Sequence, residues 1–344
     1  MKLPLLKINI NEPKYMSVNR MFSFDWATYL GIIGGRGVGK STGLYGKVAN
    51  RWDKYGYEFV NVRRHKDEAT KCYGLFDTIC NGVTAHGIAK GTIEYRHNGK
   101  RMGYTLALSL QQQYKSNTFD FSRVNCMIFD EALLPRGSLS RYLPNEVDDY
   151  FLELWSTIFR NRSGYKIFML GNNADVYNPY FAYWDIPVFE GQYKDTKRGL
   201  YFEYLKNNPV LEAEQKATPL ARATKGTRYY DYNFDNKVLA NVSANIGPKM
   251  PNAALLCRFV YNRFTLNVYR NTLTDLYIEF RDKPISDNQS FVIRSDNQPN
   301  YPVIKMYRSS QLKRFIDVCY YSGHTFYDQQ RTASVFAMVQ ADLK

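Results

Sequence analysis

Two clusters of residues in this sequence have the types and spacing to handle a triphosphate. The first is GGRGVGKS, Gly34 to Ser41, which fits G-x-x-x-x-G-K-[ST] at every position. Glycines let a backbone wrap tightly and aim its N–H groups at phosphate oxygens. The candidate cradle therefore runs through Gly34, Gly35, Arg36, Gly37, Val38 and Gly39. Lys40 is placed to reach the β- and γ-phosphates, Ser41 to offer a hydroxyl to Mg²⁺, and Thr42 follows in the next turn. The second cluster ends the apolar run VNCMIFDE. A carboxylate at the C-terminal end of a sheet strand lies in the crevice where ligands bind. Asp130 is the candidate Mg²⁺ ligand and Glu131 the candidate general base that orients water. An adjacent Asp and Glu suit hydrolysis of ATP; a nucleotide kinase has no need to activate water.

Two further groups admit two readings each. In FRNR, Arg160 and Arg162 follow a helical pattern. An arginine aimed at a γ-phosphate can serve as a finger, and an arginine at a helix C-terminus also complements the dipole. In LGNN, Asn172 and Asn173 end an apolar run, where an amide can sense the γ-phosphate or simply form a turn. The remaining candidates read as ordinary surface or core. Arg63 and Arg64 are expected as a solvated pair, with contact to nucleotide, a neighbour or DNA as the alternative; Lys115 as solvent-facing unless a partner docks there; Trp26 as a core residue, with a place near the adenine as the alternative; and Cys126 as packing.

These residues need a scaffold that brings strand ends together. Short apolar runs separated by helical patterns predict an α/β domain with a mainly parallel sheet. Its expected strands cover Tyr29 to Ile33, Tyr57 to Val62, Tyr104 to Leu110, Val124 to Phe129 and Lys166 to Leu170. Its expected helices cover Ser41 to Tyr55 and Glu146 to Phe159. The second of these repeats Val147, Tyr150, Phe151, Leu154, Trp155 and Ile158 at helical spacing. The expected organisation is an ATPase domain over 1–205, a linker over 206–240 and a small α+β domain over 241–344.

Composition narrows the partners. The chain of 344 residues is 44% hydrophobic and 23% charged, which excludes a disordered protein. Lys and Arg number 46 against 32 acidic residues, and the excess of +14 is spread along the chain. Such a field favours a polyanion or an acidic membrane surface. Five isolated cysteines without CxxC, and only four histidines, exclude zinc-site spacing and fit a reducing compartment. With no apolar run of about 18–20 residues, the chain is expected to be soluble and cytosolic.

In order, GGRGVGKS, FVNVRRHK, IFDE, YLPNEV, FRNR and GNNADVYNPYF resemble the DNA-packaging ATPases of short-tailed phages of the phi-twenty-nine type. That resemblance implies an additional-strand P-loop domain joined to a small RNase H- or integrase-like domain without nuclease activity. It implies a homomeric ring, typically of five, on the portal of the procapsid in the host cytoplasm. The ring would use ATP and Mg²⁺ to translocate double-stranded DNA, with a structural RNA as a further candidate partner. Lys40 and Ser41 then belong to Walker A, Asp130 and Glu131 to Walker B, Arg160 to a finger acting across subunits and Asn172 to coupling. Arg36 inside the P-loop fits the same pattern, and Lys115 lies where a second trans-acting lysine is expected. The competing readings are a helicase-like ATPase, a terminase with an active C-terminal nuclease, and a nucleotide-gated scaffold that does not turn over.

Overall fold

The computed structural model describes residues 18–35, 37–116, 118–134, 142–143, 146–172, 178–187, 189, 191–205, 209–227, 230, 234, 245–261, 264–283, 285, 287–293, 307 and 310–343. Arg36, Asn173 and parts of 206–240 lie outside these. Two compact units emerge: Met1–Asp175 with Phe189–Leu239, and Val176–Val188 with Ala240–Lys344.

The first unit is built on a nine-stranded sheet. Its strands are β1 (Tyr29–Gly34), β2 (Glu58–Arg63), β3 (Val83–Ala89), β4 (Thr92–His97), β5 (Lys100–Ala107), β6 (Val124–Leu133), β7 (Lys166–Asn172), β8 (Gln192–Asp195) and β9 (Leu200–Leu205). They lie in the order β3-β4-β5-β2-β6-β7-β1-β9-β8. The six from β5 to β9 are mutually parallel, and antiparallel β3–β4 and β8 extend the two edges. The expected mainly parallel sheet is thus present, and all five expected strands fall within it. The expected strand Tyr104 to Leu110 stops at Ala107, where the chain enters a 3₁₀ segment (Leu108–Lys115). Strand β7 lies between β1 and β6, so one strand separates the glycine loop's strand from the carboxylate strand.

Parallel central strands are buried on both faces, so their sequences are continuously apolar. Leu30, Ile32, Ile33, Met127, Ile128, Phe129, Phe168 and Met169 are all buried. Gly31 is required here: a Cβ on it would stand 1.9 Å from the Phe202 ring of the paired strand. The short helix α1 (Asn19–Phe22) precedes β1, and α2 (Lys40–Tyr55) follows the glycine loop, packing Leu44, Tyr45, Val48 and Ala49 onto the sheet. Short α3 (Lys66–Ala69) follows β2. The helix expected over Glu146 to Phe159 opens as a π-helical turn (Glu146–Phe151) and continues as α4 (Leu152–Phe159). In the later part of this unit, α6 (Pro209–Lys216) and α7 (Pro219–Thr224) are helical.

The second unit contains α5 (Pro179–Trp184), capped by Asn178, and a six-stranded sheet. Strands β11 (Ala254–Tyr261), β12 (Phe264–Arg270) and β13 (Leu276–Arg281) form an antiparallel meander. β14 (Ser290–Ile293) joins β11 in parallel, and β15 (Thr325–Tyr327) joins β13 in parallel, with β10 (Asn245–Ile246) outside it. Helices Gln311–Tyr321 and Gln330–Asp342 add Ile316, Cys319, Val335 and Phe336 to a core with Phe259, Leu266 and Ile278. Among the described residues no helix is long and apolar enough to cross a membrane.

Candidate active site

The glycine loop leaves the C-terminal end of β1 and turns into α2. Gly37 and Gly39 sit at φ of +78° and +83°, conformations that an L side chain rarely adopts. A Cβ on Gly37 would also approach the Gln215 amide nitrogen to 2.7 Å, so α6 lies against the loop. Gly39 is the N-cap residue of α2, which leaves the first helical N–H groups facing the loop. Gly34, Gly35 and Val38 are buried, and Ser41 and Thr42 are half-buried. Lys40 is buried at the first helical position, and its Nζ donates to the carbonyls of Gly34 at 2.9 Å and Gly35 at 2.6 Å.

Opposite the loop, β6 carries the carboxylates, and its ladder is irregular there. Phe129 pairs with Met169 and Leu133 with Gly171, so three residues of β6 face one of β7. A bulge re-aims side chains at such a point. Within it Glu131 adopts φ +60°, and its side chain is 57% exposed, while Asp130 turns inward. Ser41 Oγ donates to Asp130 Oδ1 at 3.2 Å. A hydroxyl and a carboxylate so close form an oxygen-rich corner of the kind Mg²⁺ takes. Asn172 stands in register beside Gly34, at the neighbouring strand end. The structure therefore gathers Gly34, Gly35, Gly37, Val38, Gly39, Lys40, Ser41, Thr42, Asp130, Glu131 and Asn172 at one edge of the sheet.

Of two arginines expected in solvent, Arg63 is half-buried and Arg64 fully buried. Arg63 Nη2 bonds Asp130 Oδ2 at 2.7 Å, and its Nη1 lies 3.3 Å from Glu131 Oε2. Burial, the largest single effect, would lower its pKa, but Asp130, Tyr45, Cys72 and Glu131 together outweigh it and hold the guanidinium above its ordinary value. Arg64 is 1% exposed and pairs with Glu146. A strand end normally faces water; here carboxylates waiting across the sheet compensate both charges. Behind Asp130, Tyr45 OH donates to Asn61 Oδ1 at 2.7 Å and approaches Asp130 Oδ2 at 3.5 Å. Burial, reinforced by the Asp130 charge, pushes the Tyr45 hydroxyl well above its usual range. Asn61 continues to Thr105 and Thr105 to Tyr95, a buried polar chain with no sequence motif.

The arginines of FRNR separate into two roles. Arg162 donates to the carbonyls of Phe121, Ser122, Val124, Ile158 and Phe159 and so ties α4 to the start of β6. Arg160 is exposed, has φ +49°, and its guanidinium has no hydrogen-bond or ion-pair partner among the described residues. Two residues on, Arg162 holds carbonyls at the start of β6, where Val124 is six residues from Asp130, roughly 20 Å at the rise of a strand. Lys115 forms an exposed ion pair with Glu153 at 2.7 Å. Trp26 packs on Phe24 and Tyr201, and Cys126 is buried in β6.

In the second unit the carboxylates are dispersed. Asp275 accepts from Thr272 and His324, Glu279 from Asn267, Tyr269 and Arg281, and Asp287 from Arg258 and Ser290. Among the described residues no group of three His, Cys, Asp or Glu is arranged to hold a metal ion.

Comparison with known proteins follows the same geometry. A family model described as podovirus DNA encapsidation protein (Gp16) matches residues 9–341. The DNA packaging protein of Bacillus phage phi29 is 28% identical over 321 residues, 93% of either chain. That of Bacillus phage B103 is 26% identical over 317 residues, 92% of this chain and 95% of the relative. Among solved structures, the bacteriophage Phi-29 viral genome packaging motor assembly gives a TM-score of 0.64 at 24% identity, covering 96% of this chain and 100% of that one. The Phi-28 gp11 DNA packaging motor gives 0.65 at 18%, covering 97% and 99%.

Proposed function

Because the chain belongs to the family of podovirus DNA encapsidation proteins (Gp16) and is thereby a viral DNA-packaging motor, we propose that it powers packaging by hydrolysing ATP between Lys40 and Glu131. The observation that carries this reading is the 3.2 Å approach of Ser41 Oγ to Asp130 Oδ1, with Glu131 turned outward beside it. Mg²⁺ held by Ser41 and Asp130 would neutralise charge on the triphosphate. The N–H groups of the Gly37–Gly39 turn and of the start of α2 hold phosphate oxygens. Lys40 exchanges its loop carbonyls for phosphate and adds a positive charge. Glu131 accepts a proton from water at Oε1 or Oε2 once it leaves Arg63. Asn172, beside Gly34, is placed to register the γ-phosphate. The position of β7 between β1 and β6 supports an additional-strand P-loop domain.

Arg160 acts on a neighbour. The chain runs from Arg160 into β7 at Lys166, which pairs with Cys126 at the end of the sheet away from the glycine loop, and this, with its exposure, supports a guanidinium that serves another subunit. This supports a ring of subunits, taken as five, around double-stranded DNA at the portal of the procapsid. A structural RNA in that assembly belongs to the same proposal. The net charge of +14 suits phosphate contacts that ignore sequence. The smaller unit, with a meander extended by parallel strands, is read as an RNase H- or integrase-like core that grips DNA or docks to the portal without cutting. The test uses mixed rings. Arg160→Ala and Glu131→Gln subunits, each inactive alone, should recover DNA-stimulated hydrolysis when mixed. Mixed rings that form without regaining activity would refute the shared site.

A further inference from the structure

Beneath the carboxylates lies an ion pair that the hydrolytic scheme leaves unused. Arg64 and Glu146 are 1% and 0% exposed, with Nε to Oε2 at 2.6 Å and Nη2 to Oε1 at 3.0 Å. The same guanidinium donates to two backbone carbonyls, from Nη1 to Glu131 at 3.2 Å and from Nη2 to Ala132 at 2.6 Å. It lies over the rings of Phe129 and Tyr142, and Glu146 Oε2 also accepts from the Leu143 N–H at 2.8 Å.

Stability alone is a poor reason to bury such a pair, since well-packed apolar residues commonly do as well. Its position gives a better one. In the registers of β2 and β7, residues Asp130 to Ala132 have no partner positions: the bulge lifts them out of the β7 ladder, and the β2 ladder ends at Phe129. Glu131 also holds a left-handed backbone that its Cβ disfavours. Such a conformation persists only where its surroundings over-determine it. A planar fork reaching two successive carbonyls, itself anchored by a carboxylate, supplies that constraint.

We infer that Arg64 and Glu146 are positioning residues for hydrolysis: their pair clamps the bulge at Glu131 and Ala132 and so aims the Glu131 carboxylate at the phosphate loop. The inference rests on Glu131 acting as the base. Two full-chain variants test it. Arg64→Met with Glu146→Leu keeps the volume and removes the clamp. Arg64→Lys keeps the charge and loses the fork. Active sites are counted by binding of a fluorescent ATP analogue, so unfolded protein drops out of the rate. Both variants should show kcat at least tenfold below wild type with KM for ATP within about twofold. Wild-type kcat per site in either variant overturns the inference. A wild-type protein that does not hydrolyse ATP, or a fully active Glu131→Gln, overturns the hydrolytic reading itself and is distinguished by those controls.

Discussion

Arg63→Met tests the electrostatics of the carboxylate corner. The guanidinium is 16% exposed and joins Asp130, itself 10% exposed, at 2.7 Å. Removing one partner of a buried pair costs about 3–5 kcal/mol, and the wet edge of Arg63 places this pair near 3 kcal/mol. Glu131 is 57% exposed, so its share follows surface pairs, about 0.5 kcal/mol. The sum is about 3.5 kcal/mol. In a unit of this size each kcal/mol moves Tm by about 2–4 °C, so the variant should melt about 10 °C lower. Thermal denaturation followed by circular dichroism reads this directly. A divalent cation replaces the missing positive charge beside Asp130, so millimolar Mg²⁺ should raise Tm more in the variant than in the wild type. A drop below about 3 °C, or an equal response to Mg²⁺ in both proteins, would show that the carboxylates do not depend on Arg63.

Arg162→Ala removes a brace of five carbonyl contacts and should cost about 2 kcal/mol in stability, whereas Arg160→Ala should leave Tm unchanged and abolish hydrolysis. Equal melting losses in the two variants would contradict the separation of roles. Gly31→Ala drives a methyl group into the Phe202 ring and should destabilise by about 3 kcal/mol, with part of the loss restored by Phe202→Leu in a urea titration. Binding to duplex DNA should weaken steeply with salt and equally for unrelated sequences; a flat salt dependence or a preferred sequence would count against phosphate contacts.

The elements that carry chemistry were readable because short-range rules govern them. The glycine loop, its helix and the strand ending in Asp130–Glu131 are each set by residues adjacent in the chain. The β4–β5 hairpin carries an equally local signal: Asn98 and Gly99 take positive φ between paired His97 and Lys100, as an Asn-Gly turn requires. The edge strand β3 left no such mark, since it is largely exposed and has no buried stripe. The π-helical start of the Glu146 helix was equally silent, because the apolar spacing fits either winding.

Local order thus decided which residues could bind a triphosphate, since a tight glycine turn and a strand-end carboxylate are properties of a few consecutive side chains. Folding decided how they are held. The sequence places Arg64 beside Arg63 and apart from Glu146 by 82 positions, so two neighbouring charges looked solvated until the sheet closed around their partners. The same closure made Arg162 a brace and left Arg160 facing outward, a distinction that depends on which carbonyls lie across the fold. Compensation of a buried charge is a long-range property, and only the three-dimensional arrangement can express it.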